Sequence, residues 1–268
     1  MNSTLKQGLS SLFRALGLMK VIDALLFNYS KIKNRNANAS FRRLNPDIIL
    51  PPDYMMYESF QINYHSYYFE SQKSAQGIID LAKPFININY GSILDWGCGP
   101  GRIVRHLPDI LPRAKVFGSD YNQKTIDWCK ESIEQVSFHV NGVYPPLDFK
   151  NAQMNYIYGI SIFTHFSEDM HQKWIDELHR VLAKGGILML TTHGNSFRTK
   201  LTPKEKRSFD AGQLVVRGNT EKGHRSYVAF HPEEYFSELV KEFELKAFKA
   251  GDVNALKPQQ DIWVLRKS

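Results

Sequence analysis

The chain has 268 residues and is 43% hydrophobic, enough for one large domain, or a domain with an appendage, around a full core. Its formal charge of +7 is concentrated at the start, where residues 1–50 hold eight Lys and Arg against two Asp, a surface suited to phosphate, anionic lipid or an acidic partner or simply to solvent. The two cysteines, Cys98 and Cys129, form no CxxC or zinc spacing, so no disulfide framework and no metal are expected, and a reducing compartment fits.

In chain order, the first features are two apolar stripes at helical spacing: Leu5, Leu9, Leu12, Phe13 and Leu16, then, beyond Gly17, Leu18, Val21, Ile22, Leu25 and Leu26. They predict two short amphipathic helices. The stretch lacks a signal-peptide h-region and cleavage site, and Arg14, Lys20 and Asp23 interrupt it well short of the ~20 apolar residues of a membrane span. With the basic run KIKNRNANASFRR, residues 1–43 either contact a membrane peripherally or dock on the protein's own core. A cytoplasmic location follows, in the first case at the inner face of the membrane. Residues 33–53 read as a linker, polar and then Pro-rich, which divides the chain into a basic helical extension, 1–53, and a main domain, 54–268.

A segment with Tyr54, Tyr57, Tyr64, Tyr67 and Tyr68 leads into a helix ending before Pro84; these tyrosines are candidates for a lid with apolar, hydroxyl-bearing walls. Strands are then predicted near 92–95, 115–119, 136–140, 154–159, 186–192, 243–249 and 260–265, with helices at 102–107, 122–133, 168–182 and 232–241. For the helix at 168–182, Ser167 is the expected cap, Glu168 and Asp169 favour the positive end of its dipole, and Gly185 is its expected terminator. Alternation of this kind specifies an α/β fold, a mostly parallel sheet covered on both faces.

The stretch SILDWGCGPGR carries the chemistry. Asp95 stands at the carboxyl edge of the first strand, and Gly97, Gly99 and Gly101 turn the chain toward a helix at the place where open α/β sheets bind ligands. A second acid, Asp120, follows about twenty positions on at the end of the next strand, placed to accept hydrogen bonds from a ribose diol. Tyr121 offers a flat surface beside an adenine, and Asn141, in an Asn141-Gly142 turn at the third strand end, either reads the base edge or only makes the turn. The loop is GxGxG rather than GxGxxG, and the Asp95 carboxylate repels pyrophosphate but attracts an ammonium. A ligand with adenosine at one end and an amino acid at the other fits: S-adenosylmethionine.

Together ILDWGCGPGR, FGSDYN, YGISIFTHFSEDMHQKWIDELHRVLAKGGILMLTTHG and QQDIWVLRK resemble the class I S-adenosylmethionine-dependent methyltransferases, from about Ser74 to Arg266. Within them the nearest likeness is to a bacterial group whose fourth strand runs into a Ser-Val-Phe-Thr-His-Leu-like turn. The resemblance implies a Rossmann-like, seven-stranded sheet with helices on both faces. It also implies that Gly97, Cys98, Gly99 and Gly101 line the methionine and ribose, that Asp95 holds the amino group and Asp120 the ribose diol. Tyr121, Asn141 and Gly142 would flank the adenine, with Ser161 near the methionine end. Asn155 stands where many members have Asp, and Ala183-Lys184-Gly185-Gly186 replaces Lys-Pro-Gly-Gly, both structural departures. No Asn-Pro-Pro-Tyr or Asp-Pro-Pro-Tyr follows the fourth strand, which disfavours nucleobase amino and glutamine amide acceptors.

A hydroxyl acceptor needs a base, and His165, His193 and His231 compete for the part, with His165 nearest the strand bordering the cofactor. The excursion from Asn195 to Phe230, with Arg198, Lys200, Lys204, Lys206 and Arg207, suits a phosphorylated or carboxylated acceptor such as a nucleotide-linked or lipid-linked sugar. The leading expectation is methyl transfer to a small molecule or glycan, most simply at oxygen. RNA or protein methylation comes second, because aromatic and basic residues are not interleaved as a nucleic-acid surface requires. A membrane-recruited S-adenosylmethionine-binding protein without turnover is the third alternative.

Overall fold

A computed structural model of the chain describes residues 19–218 and 227–268, apart from the side chains of Met19 and Lys20. The stripe from Leu5 to Leu18 lies outside the described residues. The chain divides into two compact units, residues 1–70 and 71–268.

In the first unit, α1 (Met19–Leu44) is followed by α2 (Asp53–Ser59) and a π-helical turn, Ser66–Glu70. The linker expected from residue 33 is therefore helical as far as Leu44. Tertiary contacts override the weak helix propensity of its asparagines. Phe41 is buried with Met56, Ile62, Tyr64 and Tyr67, and Asn38 accepts the Tyr64 N–H at 3.0 Å. Asn28 and Asn34 bond back to carbonyls four residues earlier, spending their side chains on the helix itself. Of the tyrosines, Tyr57 donates to Asp23, Tyr64 donates to Asp53, Tyr67 is buried and Tyr54 is exposed.

The second unit opens with α3 (Ser71–Ala82), and β1 (Gly91–Trp96) then begins the sheet. A 3-10 turn, Val104–His106, runs into α4 (Leu107–Ile110), in place of the helix expected at 102–107. There follow β2 (Ala114–Asp120), α5 (Gln123–Ser132), β3 (Ser137–Val140), β4 (Met154–Gly159), α6 (Glu168–Val181) and β5 (Leu182–Thr192). The sheet is completed, after α8 (Glu233–Leu239), by β8 (Phe243–Lys249) and β9 (Asp261–Lys267). The described residues after β5 form a 3-10 turn (Asn195–Lys200), α7 (Pro203–Asp210) and an antiparallel pair of β6 (Val215–Arg217) and β7 (Val228–Phe230).

Strand order is β3-β2-β1-β4-β5-β9-β8, with β1 to β5 paired in parallel and β9 antiparallel to both β5 and β8. This is the expected Rossmann-like class I methyltransferase architecture. Strand residues alternate between the two faces. Ile93, Tyr156, Tyr158, Ile187, Met189 and Val264 enter one core with α3 and α5. Leu94, Ile157, Leu188, Leu190, Trp263 and Leu265 enter the other with α6 and α8.

Two local expectations are corrected around α6. Ser167 holds the N-cap position, but its hydroxyl donates to the Asp169 carboxylate and accepts from no helix N–H. The helix stops at Val181, and Gly185, at φ +73, lies inside β5 near the register shift against β4 rather than closing the helix. Asn155 Oδ1 accepts the Ser92 N–H at 2.9 Å, tying β4 to β1.

Candidate functional site

The site is built at the carboxyl ends of β1, β2, β3 and β4, where the strand order reverses between β1 and β4. Gly97 has φ +77, and a Cβ there would meet Ile162 Cδ1 at 2.0 Å, so the loop passes the turn after β4 only as bare backbone. The Gly97 and Cys98 N–H groups both donate to the Ser119 carbonyl. Gly99, also at positive φ, donates its N–H to Asp120 Oδ2 at 3.0 Å, while Asp120 Oδ1 accepts the Asn122 N–H at 2.9 Å. Asn122 in turn caps α5, taking the Thr125 N–H. The Asp120 carboxylate is thereby fixed in orientation by two backbone donors and keeps further acceptor capacity.

Asp120, Tyr121, Asn141 and Gly142 line one side of a cleft; Trp96, Gly97, Val143, Ile162, Phe166, Trp174 and His165 complete it. One wall is polar and the others largely apolar, the chemistry a nucleoside presents. The Asn141 amide donates to Gly142 O, and its Oδ1 is buried without a protein partner. An unsatisfied buried acceptor on a ligand wall fits the exocyclic amino group of an adenine. Of the expected residues, the cleft gathers Gly97, Asp120, Tyr121, Asn141, Gly142 and His165.

The other expected residues lie around it. Asp95 is 5% exposed and sits beneath the loop. Burial pushes its carboxyl up to about 7, against the Tyr158 hydroxyl and Arg102, with the Asp120 charge adding to the rise. The Cys98 side chain packs in the core beside Cys129; both thiols are free, and burial drives the Cys98 thiol well up. Gly101, at φ +73, packs against Ile133.

Ser161 adopts φ +62, a strained conformation for a serine. Bonds from three strand ends hold it there: its N–H donates to Thr191 Oγ1 at 2.8 Å, Gln260 Nε2 donates to its hydroxyl oxygen at 2.6 Å, and Thr191 Oγ1 donates to Gln260 Oε1. With the Ser161 oxygen accepting from Gln260, its own hydrogen remains for another acceptor.

The histidines separate by environment. His165 Nδ1 lies 2.8 Å from the Tyr227 carbonyl. A carbonyl only accepts, so Nδ1 carries the hydrogen and Nε2 is the basic nitrogen of the neutral ring. His193 Nδ1 bonds the Ala229 carbonyl at 3.1 Å in the same way, but burial takes its pKa down to about 3 and its ring stacks on Phe197. His231 is buried against His171, Nε2 to Nε2 at 2.9 Å, and burial pushes it well below its ordinary range. Only His165 of the three lines the cleft. In the excursion, Arg198 is paired with Asp210 and Arg217 with Glu205, while the Lys200 ammonium sits 4.7 Å over the Phe197 ring.

Sequence reasoning missed Ile162, Val143, Phe166 and Trp174 as cleft walls, and Gln260 and Thr191 as supports of Ser161. The apolar residues read as ordinary core. The place of Ile162 against the glycine loop comes only from the structure, where it follows the strained Ser161 in the turn after β4.

Residues 93–186, from the first strand into the fifth, match a family model described as a methyltransferase domain. The chain carries an S-adenosylmethionine-dependent methyltransferase domain. S-adenosylmethionine is the cofactor of this domain. Among curated proteins the chain is similar to the tRNA N(3)-methylcytidine methyltransferase trm140 of Schizosaccharomyces pombe, 27% identical over 151 residues, covering 53% of this chain and 48% of that protein. It is also similar to the trans-aconitate 2-methyltransferase of Variovorax paradoxus, 26% identical over 111 residues, covering 38% of this chain and 39% of the relative. The matches thus span less than half the length of these relatives. Among solved structures, the magnesium protoporphyrin IX methyltransferase of Synechocystis with bound S-adenosylhomocysteine shares the fold at TM-score 0.53 and 14% identity, covering 92% of this chain and 99% of that one. An S-adenosylmethionine-dependent methyltransferase from Methanosarcina mazei does so at TM-score 0.53 and 19% identity, covering 70% and 96%.

Proposed function

We propose that the protein methylates a hydroxyl of a small-molecule or glycan acceptor, with His165 as general base. The observation that carries this reading is that His165 lines the same cleft as Asp120, with Nδ1–H engaged by the Tyr227 carbonyl and Nε2 left basic. When bound, S-adenosylmethionine supplies a methyl group already activated on a sulfonium. The chain's task is then to orient and to remove one proton. Asp120 accepts from the ribose hydroxyls, Asn141 Oδ1 accepts from the adenine, and Gly97 and Gly99 let the loop approach closely. Asp95, whose burial holds its carboxyl near neutrality, is drawn to the charged form by the ligand's ammonium. Ile162, Phe166 and Val143 keep water from the cleft floor. His193, a poor base at its depressed pKa, braces the strand pair.

The cationic residues Lys200, Lys204, Lys206 and Arg207 of the excursion support a phosphorylated or carboxylated acceptor, including a lipid-linked sugar. The turn Ser161-Ile162-Phe163-Thr164-His165 supports the narrower membership in the bacterial group, and with it a cytoplasmic enzyme. A second reading, an RNA acceptor, is favoured by the 27% identity to the fission yeast tRNA methyltransferase.

Calorimetry with S-adenosylhomocysteine tests the cofactor half: Asp120→Ala is expected to weaken binding by about a hundredfold, since two charge-assisted hydrogen bonds are removed. Unchanged affinity would reject the assignment of the cleft. Radiolabelled methyl transfer to sugar phosphates, hydroxy acids and tRNA decides the acceptor, and label in tRNA alone replaces the first reading by the second.

A further inference from the structure

Helix α1 has two opposite faces. Phe27, Asn34, Asn38 and Phe41 turn toward the small core of residues 19–70, bonding or packing against Asn63, Tyr64 and Ile62. Asp23, the one acid in the helix, accepts the Tyr57 hydroxyl on that same side. Turned away from it, Val21, Leu25, Tyr29 and Ile32 recur at helical spacing and are 58%, 65%, 64% and 74% exposed. That is a line of large apolar side chains over three turns, where a surface helix ordinarily carries charge. On the helical wheel Arg35 flanks the stripe on one side and Lys33 on the other, with Arg43 in the last turn, whereas Lys31 and Arg42 turn toward the core side, to Asp53 and Tyr64.

We infer that α1 lies in the surface of a lipid bilayer bearing anionic head groups, with Val21, Leu25, Tyr29 and Ile32 among the acyl chains and the flanking Lys and Arg at the phosphates. The inference goes beyond the methyl-transfer reading and does not rest on it. Charge complementarity selects the occupant. The exposed side of α1 is apolar and cationic without an acid, so a second copy laid on it would set like charges against one another. Nucleic acid would use the cations but leave the aliphatic stripe in water. An anionic bilayer satisfies both, burying the apolar chains while Lys and Arg stems reach out to the head groups. Among the described residues no helix is long and apolar enough to cross a membrane, so α1 lies along the interface.

Flotation of the full chain with two vesicle types tests this: pure phosphatidylcholine, and equal parts phosphatidylcholine and phosphatidylglycerol. Binding to the anionic vesicles and weakening in high salt are expected. Leu25→Glu/Ile32→Glu should lower the partition about tenfold or more, because two inserted side chains are lost. Lys33→Glu/Arg35→Glu should also lower it while leaving the stripe intact. Both pairs are exposed, so circular dichroism and S-adenosylhomocysteine affinity should match the parent. Absence of flotation on anionic vesicles, or equal flotation of parent and Leu25→Glu/Ile32→Glu, overturns the inference. So does a dimer in sedimentation that dissociates in that variant without any vesicle binding, which would assign the stripe to a second copy.

Discussion

The loop from Asp95 to Asn122 and the excursion from Asn195 to Phe230 border the same strand ends and are held by different forces. The first is held by backbone: glycines at positive φ, N–H groups aimed at the Asp120 carboxylate, and a buried acid beneath. The second is held by side-chain pairs, Arg198 with Asp210 and Arg217 with Glu205, and by two imidazoles, His165 bonded to the Tyr227 carbonyl just before β7 and His193 to the Ala229 carbonyl within it. Backbone geometry has few solutions and suits a ligand that never changes. Ion pairs at a partly exposed surface hold less tightly and tolerate exchange.

The largest effect is expected where the loop admits no side chain. Gly97→Val adds a clash with Ile162 to an unfavourable φ, together about 2–6 kcal/mol, so calorimetry should find S-adenosylhomocysteine binding abolished; retained binding would show that the loop yields and that the rigid half of the comparison is overstated. Next, His165→Ala should reduce turnover by about a hundredfold with cofactor affinity nearly unchanged. His165→Gln, which keeps a group able to bond the Tyr227 carbonyl, should lose as much, separating a base from a brace. Normal turnover in either variant removes the base.

A smaller effect concerns pH. The Asp95 carboxyl is raised from an ordinary value near 3.8 to about 7 by burial, so the folded ligand-free protein binds a proton there that the unfolded chain has released. Its contribution to stability is present at low pH and is lost as pH rises through about 7. Asp95→Asn should therefore melt like the parent below pH 4 and above the parent's temperature at pH 8, with weaker cofactor binding; a constant difference across pH would refute the buried acid. The smallest effect belongs to the excursion. Arg217 holds the Glu205 carboxyl at about 2, stability that is present above its ordinary range and lost as pH falls toward that value. Because the pair is partly solvated, Glu205→Gln should cost about 1 kcal/mol or less at neutral pH. Turnover should fall more than cofactor affinity; an equal loss of both would join the two regions into one unit.

Much of the cofactor half was legible because its constraints are local. A glycine triplet after an apolar run and an acid at the next strand end mean the same thing in any parallel sheet, and the strands and α6 announced themselves by period. The readings that failed were those settled at a distance. Residues 33–44 look like a linker until Phe41 and Asn38 meet Tyr64 and Ile62. Ser167 reads as a cap, but in the folded chain its hydroxyl donates to Asp169 and accepts from no helix N–H. Gln260 reads as the first residue of the last strand, and its bond to Ser161, 99 residues earlier, is invisible to any window.

By itself the sequence determined the sheet's periodicity, the turn that only glycine can make and the pair of acids beside it, since these follow from side-chain size and alternation along a few neighbouring residues. Tertiary structure alone decided which histidine faces the cleft, because that depends on which carbonyl, Tyr227 or Ala229, each ring meets and how much water burial removes. It also decided which side of α1 stays exposed, because a helix has several possible inward faces until its neighbours choose one.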